Sequence, residues 1–311
     1  MLVHPVFRRD IRDIAGCADI VYLYASEKEL LPYGDTPIFK DAVKLIRDHG
    51  LKVIVSVGTG YRFSAVNPCT WQFSHPEAWI KLPPVRGVAT GFWPAAVDCC
   101  CINHPVFVGY ALDFYKKLFD THEVDGIGFD EPRELPCLCE HCRKKYRERK
   151  GHDMSGSEDQ EHLEFQAESL AEYITLLSDL AKERGLLTAS VVSLQPHEVF
   201  FHSLLARIPS LDYFGIDPYW FDKPVDLVGT DTRAARRICD ASGKRLWVVI
   251  QGFHIPSGRE QEITTAGRLA AENGADVLCG WTHWRGTGNP ELTWDTTHRM
   301  LIEFGRGSRS A

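Results

Sequence analysis

Eight short apolar runs, most of them followed by a helical pattern, alternate from one end of the chain to the other. They are Leu2–Phe7, Ala18–Ala25, Leu51–Val57, the stretch closing at Asp130, Leu187–Ser193, Leu211–Asp217, Leu246–Gln251 and Asp276–Trp281. Apolar runs of this length read as strands buried on both faces, which belong to parallel sheets clad in helices. Helical spacing is predicted over Asp10–Ala15, Ile38–His49, Pro105–His122, Gln160–Arg184, Asp231–Ala241, Glu262–Asn273 and Trp294–Phe304, with Gly50 and Gly185 placed as stops. The alternation predicts an α/β chain forming a single (β/α)8 TIM barrel over residues 1–311. The rival is an open doubly wound sheet. No G-x-G-x-x-G or G-x-x-x-x-G-K-S/T follows any strand, which removes the best support for a nucleotide fold. No repeat of 20–50 residues with matched motifs, no linker and no low-complexity tract is visible.

The densest stretch is Val124–Arg143, VDGIGFDEPRELPCLCEHCR. Ile127 and Phe129 alternate with Gly126, Gly128 and Asp130, and successive side chains of a strand face opposite ways. With the apolar face under helices, Asp130 points towards the barrel axis. Pro132 cannot donate to a sheet ladder, so pairing is expected to end there. Asp130 and Glu131 then stand where a strand gives way to a loop, which is where α/β enzymes keep their chemistry. The plainer alternative is an acidic pair that caps the following turn.

The same phase argument applies to two other strands. In LDYFGID, Phe214 and Ile216 share a face, so Asp217 takes the other; in LWVVIQ, Val248 and Ile250 share a face, so Gln251 takes the other. The last run ends in Trp281, Thr282, His283, Trp284 and Arg285, and Tyr219 and Trp220 follow Asp217. Carboxylates on the floor of a cleft with aromatic residues at its rim suit a carbohydrate. Candidate substrate contacts are Trp93, Tyr219, Gln251, Trp281, His283, Trp284 and Arg285. Candidate catalytic residues are Asp130, Glu131 and Asp217, because glycoside hydrolysis needs one carboxyl group protonated and one ionised. Burial and mutual repulsion separate such pKa values. Retention is the expected stereochemical outcome. For each acid taken singly, the alternative is a buried, hydrogen-bonded structural role.

Gly58–Asp98, after the third run, is long and irregular and carries Tyr61, Trp71, Phe73, Trp79, Phe92 and Trp93. Loops of this length in compact domains are usually functional, and an indole stacks well on a pyranose. A satellite core beneath the loop is the alternative.

Ten cysteines are unevenly placed: Cys99, Cys100 and Cys101 are consecutive, and Cys137, Cys139 and Cys142 form C-x-C-x-x-C. In a reducing compartment such clusters read as metal ligands before disulfides. Three thiolates need a fourth ligand for tetrahedral Zn2+. Cys101 is the first choice, Cys99 and Cys100 are alternatives, and His141 is a weaker one. A closed four-sulfur site implies a structural zinc that pins the loop after the central strand to the chain entering the preceding helix. No organic cofactor is expected.

The formal net charge of −7, without long runs, argues against a nucleic-acid or anionic-membrane surface. No apolar run reaches the roughly 18–20 residues of a membrane span. The first residues lack the layout of a signal peptide, so a cytoplasmic location is expected. Homo-oligomerisation is left open.

Leu51–Gly151 resembles the zinc-containing beta-galactosidases of glycoside hydrolase family 42. The matching features are LKVIVSVGTG, HPEAW, CINHPVF, an amphipathic helix, a strand ending in an acid, C-x-C-x-x-C and R-K-K-Y. The resemblance covers about a third of the chain. It implies a (β/α)8 barrel, zinc at Cys101, Cys137, Cys139 and Cys142, and Glu131 as general acid/base. Asp130 stands where that family has Asn, and Gln251 where it has its nucleophilic Glu. Two other plans fit this departure. One is similar to barrel alpha-glycosidases, with Asp130 attacking and Asp217 protonating. The other is similar to hexosaminidases, with Glu131 as acid and Asp130 orienting the substrate's acetamido group.

The expected function is therefore cleavage of a glycosidic bond in a short saccharide. The alternatives are a carbohydrate-binding barrel without catalysis, suggested by Gln251, and a metal-dependent barrel hydrolase or isomerase, for which His283 is the best-placed ligand. His254 and Glu260, beyond the Gln251 strand, are further candidates for a missing group.

Overall fold

The structure is a computed structural model that describes residues 8–24, 37–56, 70–81, 99–132, 136–155, 159–194, 199–282 and 287–305. Among these, seven strands form one parallel sheet: β1 (Ile20–Tyr24), β2 (Lys52–Ser56), β3 (Gly126–Asp130), β4 (Leu187–Val192), β5 (Tyr213–Ile216), β6 (Arg245–Gly252) and β7 (Val277–Thr282). Each pairs with its sequence neighbours, in the order β1 to β7. A doubly wound sheet reverses its strand order part-way; this one never does, so the rival architecture is excluded. The sheet also curls. The ring of Tyr24 on β1 and that of Trp281 on β7 meet with centroids 5.1 Å apart. The arrangement is that of a TIM-barrel wall. The expected strand Leu2–Phe7 lies outside the described residues.

The helices are α1 (Arg8–Ala15), α2 (Pro37–Asp48), α3 (Thr70–Ser74), α4 (Pro105–Thr121), α5 (Glu140–Lys150), α6 (Gln160–Lys182), α7 (Val199–Ala206), α8 (Leu227–Ser242), α9 (Gln261–Glu272) and α10 (Pro290–Gly305). The short α3, α5 and α7 were not expected. On the helix side of the sheet, Val21, Val53, Ile127, Phe129, Phe214, Ile216, Val248 and Ile250 are buried in one large core. On the other side, Tyr22, Ile54, Ala189, Val191, Tyr213, Trp247, Val249 and Cys279 form a separate cluster. Both faces are therefore covered, as the unbroken apolar runs require. The inner face is filled by rings reaching across it: a Cβ on Gly128 would lie 2.1 Å from the Tyr22 hydroxyl oxygen. Glycine at that position is what lets Tyr22 cross the wall.

A recurring staple ties the sheet to the helices at its opposite end. Asp125, just before β3, accepts the backbone N–H of Val53 at 2.8 Å and pairs with Arg47 of α2 at 2.8 Å. Asp212, before β5, accepts the Thr188 N–H at 2.8 Å and pairs with Lys182 of α6 at 2.7 Å. Asp276, before β7, accepts the Leu246 N–H at 2.7 Å and pairs with Arg236 of α8 at 2.8 Å. The ion pairs are partly exposed and therefore screened. The larger contribution is a partner for a strand-end N–H that has none in its own ladder. The staple recurs at unequal spacing along the chain, so it makes no repeat of fixed period.

In the long loop after β2, the described part packs as a satellite core. Trp71 stacks on Tyr110 of α4 at 4.3 Å and on His75 at 4.1 Å, and the Trp79 indole N–H donates to the Gln72 carbonyl at 2.7 Å. These two indoles belong to the packing of α4. Tyr61, Phe92 and Trp93 lie outside the described residues.

Candidate functional site

Asp130 is the last residue of β3, on the face opposite Ile127 and Phe129. The residue as a whole is half-buried. Burial pushes its pKa up to about 7; the nearby charge of Glu131 pushes the same way, and the Tyr24 hydroxyl pulls it back. That pull is weak in geometry, since the Tyr24 oxygen has no partner within strict hydrogen-bond limits. A carboxyl group titrating near neutrality can hold a proton in one step and release it in the next.

Glu131 follows with φ 39°, a left-handed conformation rare for a residue with a side chain. Its N–H donates to the Val191 carbonyl at 2.8 Å, so β4 holds the strained turn in place. Strain of this kind persists only where the surroundings over-determine it, and it collects at functional sites. Phe221 after β5 (φ 21°) and His254 after β6 (φ 50°) are the other such residues among those described. All three stand just past strand ends on the same rim.

Asp217 directly follows β5 and is 3% exposed. Its N–H donates to the Val192 carbonyl at 3.3 Å, and its carbonyl accepts the Tyr219 N–H at 2.7 Å. The Tyr219 hydroxyl feels the charge of all three acids. Burial first, and then the charges of Asp217, Asp130 and Glu131, raise its pKa well above the usual tyrosine value. The adjacent Asp130 and Glu131 and the sequence-remote Asp217 thus bear electrostatically on one hydroxyl.

Gln251, wholly buried on β6, spends its amide on the loop after β5. Its Oε1 accepts the N–H groups of Trp220 (2.8 Å) and Phe221 (3.2 Å), and its Nε2 donates to the Phe253 carbonyl at 2.9 Å. Trp281 is part-exposed beside Tyr24, with Phe253 6.4 Å away on another side. Glu260 is buried and accepts the Gly258 N–H at 2.8 Å within its own turn. His254 is exposed. Trp93, His283, Trp284 and Arg285 lie outside the described residues. Tyr24 escaped the sequence reading because its place beside Asp130 depends on the curl of the sheet, which periodicity does not reveal.

The cysteines form a second centre. The sulfurs of Cys101, Cys137, Cys139 and Cys142 all lie within 4.8 Å of one another and are buried. Cys101 is 3.5 Å from Cys139 and 3.4 Å from Cys142. A tetrahedron with metal–sulfur bonds of about 2.3 Å has edges near 3.8 Å, so the cluster could hold a metal ion. The surrounding donors suit thiolates. Lys81 N–H points at Cys137 (3.4 Å), Asn103 N–H at Cys101 (3.4 Å), Asn103 Nδ2 at Cys142 (3.3 Å) and Cys142 N–H at Cys139 (3.5 Å). Contact with Cys101 holds the Cys137 and Cys139 thiols below the ordinary thiol range. Cys100 packs in the main core instead, and the His141 ring lies against that of His104 at 4.4 Å. The last bond also caps α5, whose first turn carries Cys142. Three strands of chain meet here, joined further by Leu138 N–H to Lys81 O (2.7 Å) and Ile80 N–H to Cys99 O (2.9 Å).

No protein-family model and no curated protein matches the chain. Solved structures do. The PgaB (BpsB) glycoside hydrolase domain from Bordetella bronchiseptica superposes with a TM-score of 0.65 at 13% identity, covering 87% of this chain and 86% of that one. An endo-1,4-beta-mannanase from Rhizomucor miehei gives 0.63 at 8% identity, covering 96% and 90%. Alpha-L-fucosidase isoenzyme 2 from Paenibacillus thiaminolyticus gives 0.62 at 14% identity, covering 96% of this chain and 46% of that enzyme's length. The shared fold is a TIM-barrel-like α/β fold. Identities this low speak for the fold and not for a shared substrate. The resemblance to family 42 in particular finds no counterpart among these matches. No helix of the described residues is long and apolar enough to cross a membrane.

Proposed function

We propose that the protein is a glycoside hydrolase whose chemistry is carried by Asp130, Asp217 and Glu131. The observation that supports this most is the placing of the three acids at the carboxyl ends of β3 and β5 of one parallel sheet, near enough to Tyr219 that the charge of each raises its pKa. Asp130, with its pKa near 7, is the proton carrier. It donates to the glycosidic oxygen as the bond to the anomeric carbon breaks. Asp217, as carboxylate, meets the positive charge at that carbon. Water then completes hydrolysis, giving its proton back to Asp130. The charge of Glu131 helps Asp130 keep its proton until it is needed. The barrel neighbours, each named as a glycoside hydrolase or as a glycosidase of stated type, agree with this reaction class.

The test is a panel of chromogenic glycosides with Asp130→Asn, Glu131→Gln and Asp217→Asn. Loss of turnover by orders of magnitude in folded variants is expected. Full activity in all three would end the proposal. A second reading, a sugar-binding barrel without catalysis, draws on Gln251, an amide where the resembling family keeps its nucleophile. Calorimetric binding of a sugar with no product after long incubation would favour it.

We further propose that the four cysteines hold one structural Zn2+. An all-sulfur tetrahedral donor set suits zinc, and it leaves no open position for substrate or water. Its work there is to fix the loop between β3 and α5.

A further inference from the structure

Beside the carboxylates, the rim carries a feature that packing does not require. Phe221 is 40% exposed and held at φ 21°. Its N–H donates to buried Gln251 at 3.2 Å, and its carbonyl accepts from Arg259 at 3.2 Å. Arg259 is itself clamped on both oxygens of Glu262 at 2.8 Å, and Glu262 also accepts the Trp220 indole N–H at 2.9 Å. A buried amide and an ion pair thus hold an apolar ring out into water, in a strained backbone. His254 repeats the pattern one loop further on: it is exposed, sits at φ 50°, and its ring is 6.1 Å from that of Phe221. Phe253 backs both, at 5.6 Å from Phe221 and 5.5 Å from His254. Tyr219, whose hydroxyl feels the charge of the three acids, joins this group at 5.8 Å from Phe221 and 5.0 Å from Phe253.

The other exposed large apolar residues described, Val106, Leu176, Phe200 and Leu292, all lie on helices. Phe221 alone lies on the loops past the strand ends. One exposed phenyl ring is far smaller than the roughly 1,000 Å² a protein partner needs. It matches one face of a pyranose, and the imidazole of His254 supplies hydrogen bonding for the hydroxyl groups at its edge. We propose that Phe221 and His254 form a stacking subsite for a second sugar ring, the one directly across the bond cleaved between the carboxylates. The inference rests on the glycosidase reading and adds that the substrate has at least two rings.

The test compares two substrates of the sugar that the wild-type protein hydrolyses: its glycosyl fluoride, with a single ring, and the corresponding disaccharide. Phe221→Ala should lower kcat/KM for the disaccharide roughly tenfold to a hundredfold, mainly through KM, as loss of one stacked ring would. The fluoride should be unaffected, and Phe221→Trp should restore the preference. An equal fall on both substrates, or no fall on either, overturns the subsite. Asp217→Asn should abolish turnover of both, since either leaving group needs the charge that meets the anomeric carbon, which separates failure of the chemistry from failure of the subsite. If the wild-type protein hydrolyses neither, calorimetry replaces kinetics. Disaccharide bound more tightly than monosaccharide, with the difference erased by Phe221→Ala, supports the subsite; equal affinities overturn it.

Discussion

The ring of Tyr24, at the end of β1, meets the ring of Trp281 on β7 edge-on, at an interplanar angle of 69°. Tyr24 thus has two tasks. Its ring joins the two outermost described strands, and its hydroxyl lowers the pKa of Asp130. Tyr24→Phe keeps the first and removes the second. The limb of the kcat/KM profile belonging to Asp130 should move to higher pH, with the melting temperature little changed. A profile that stays in place would show that the hydroxyl does not act on Asp130.

Asp130 should also leave a mark on stability. Its pKa is raised from the usual carboxylate value to about 7 in the folded protein. Between about pH 4 and pH 7 the folded chain therefore binds more protons at this site than the unfolded chain, and stability falls as pH rises. Above pH 7 the whole cost of the buried charge is present. Asp130→Asn removes it, so the variant should melt about 2 °C or more above the wild type at pH 8, with the gap closing by pH 4. Thermal scans at the two pH values decide; a variant less stable than the wild type at pH 8 contradicts the assignment.

The cysteine cluster makes a stoichiometric prediction. Purified protein should carry one zinc per chain by elemental analysis. Cys101→Ser or Cys142→Ser should lose it and unfold at markedly lower temperature, because binding energy at a structural site is folding energy. Cys99→Ser should retain the metal, since Cys99 is not one of the four converging sulfurs. Zinc retained in Cys142→Ser would refute the ligand set.

Gln251→Ala strips the acceptor from two backbone N–H groups in the loop that carries Phe221. A buried donor left unpaired costs about 1–3 kcal/mol, so urea denaturation should register a loss of about 2 kcal/mol or more. Gln251→Glu keeps the acceptor but turns an oxygen towards the Phe253 carbonyl, and should also destabilise. A gain in turnover from Gln251→Glu would instead mean that the position faces substrate.

The strands were legible because their apolar runs are short and bounded by Gly, Pro or Asp, and the inward direction of Asp130 and Asp217 followed from a period of two. Helix α5 was not legible. Of its residues only Cys142 and Tyr146 are buried, so it has no apolar stripe, and the cysteine cap at Cys139 starts it. Helix α7, VFFHSLLA, hid for the opposite reason, being apolar on nearly every side. Within the site, the occupation of Gln251 by the loop and the left-handed turns at Glu131, Phe221 and His254 are set by tertiary contacts. Glu, Phe and His carry no glycine-like signal for such turns.

The Asp125 and Asp212 staples have a consequence for the opposite rim. Each precedes its strand-end acid, Asp130 or Asp217, by the same stretch of extended chain. Where a side chain faces alternates with every residue, so slipping either anchor by a single position would turn its acid into the helix layer. The aim of the chemistry is thus decided at the far end of the wall, by ion pairs that no substrate ever touches.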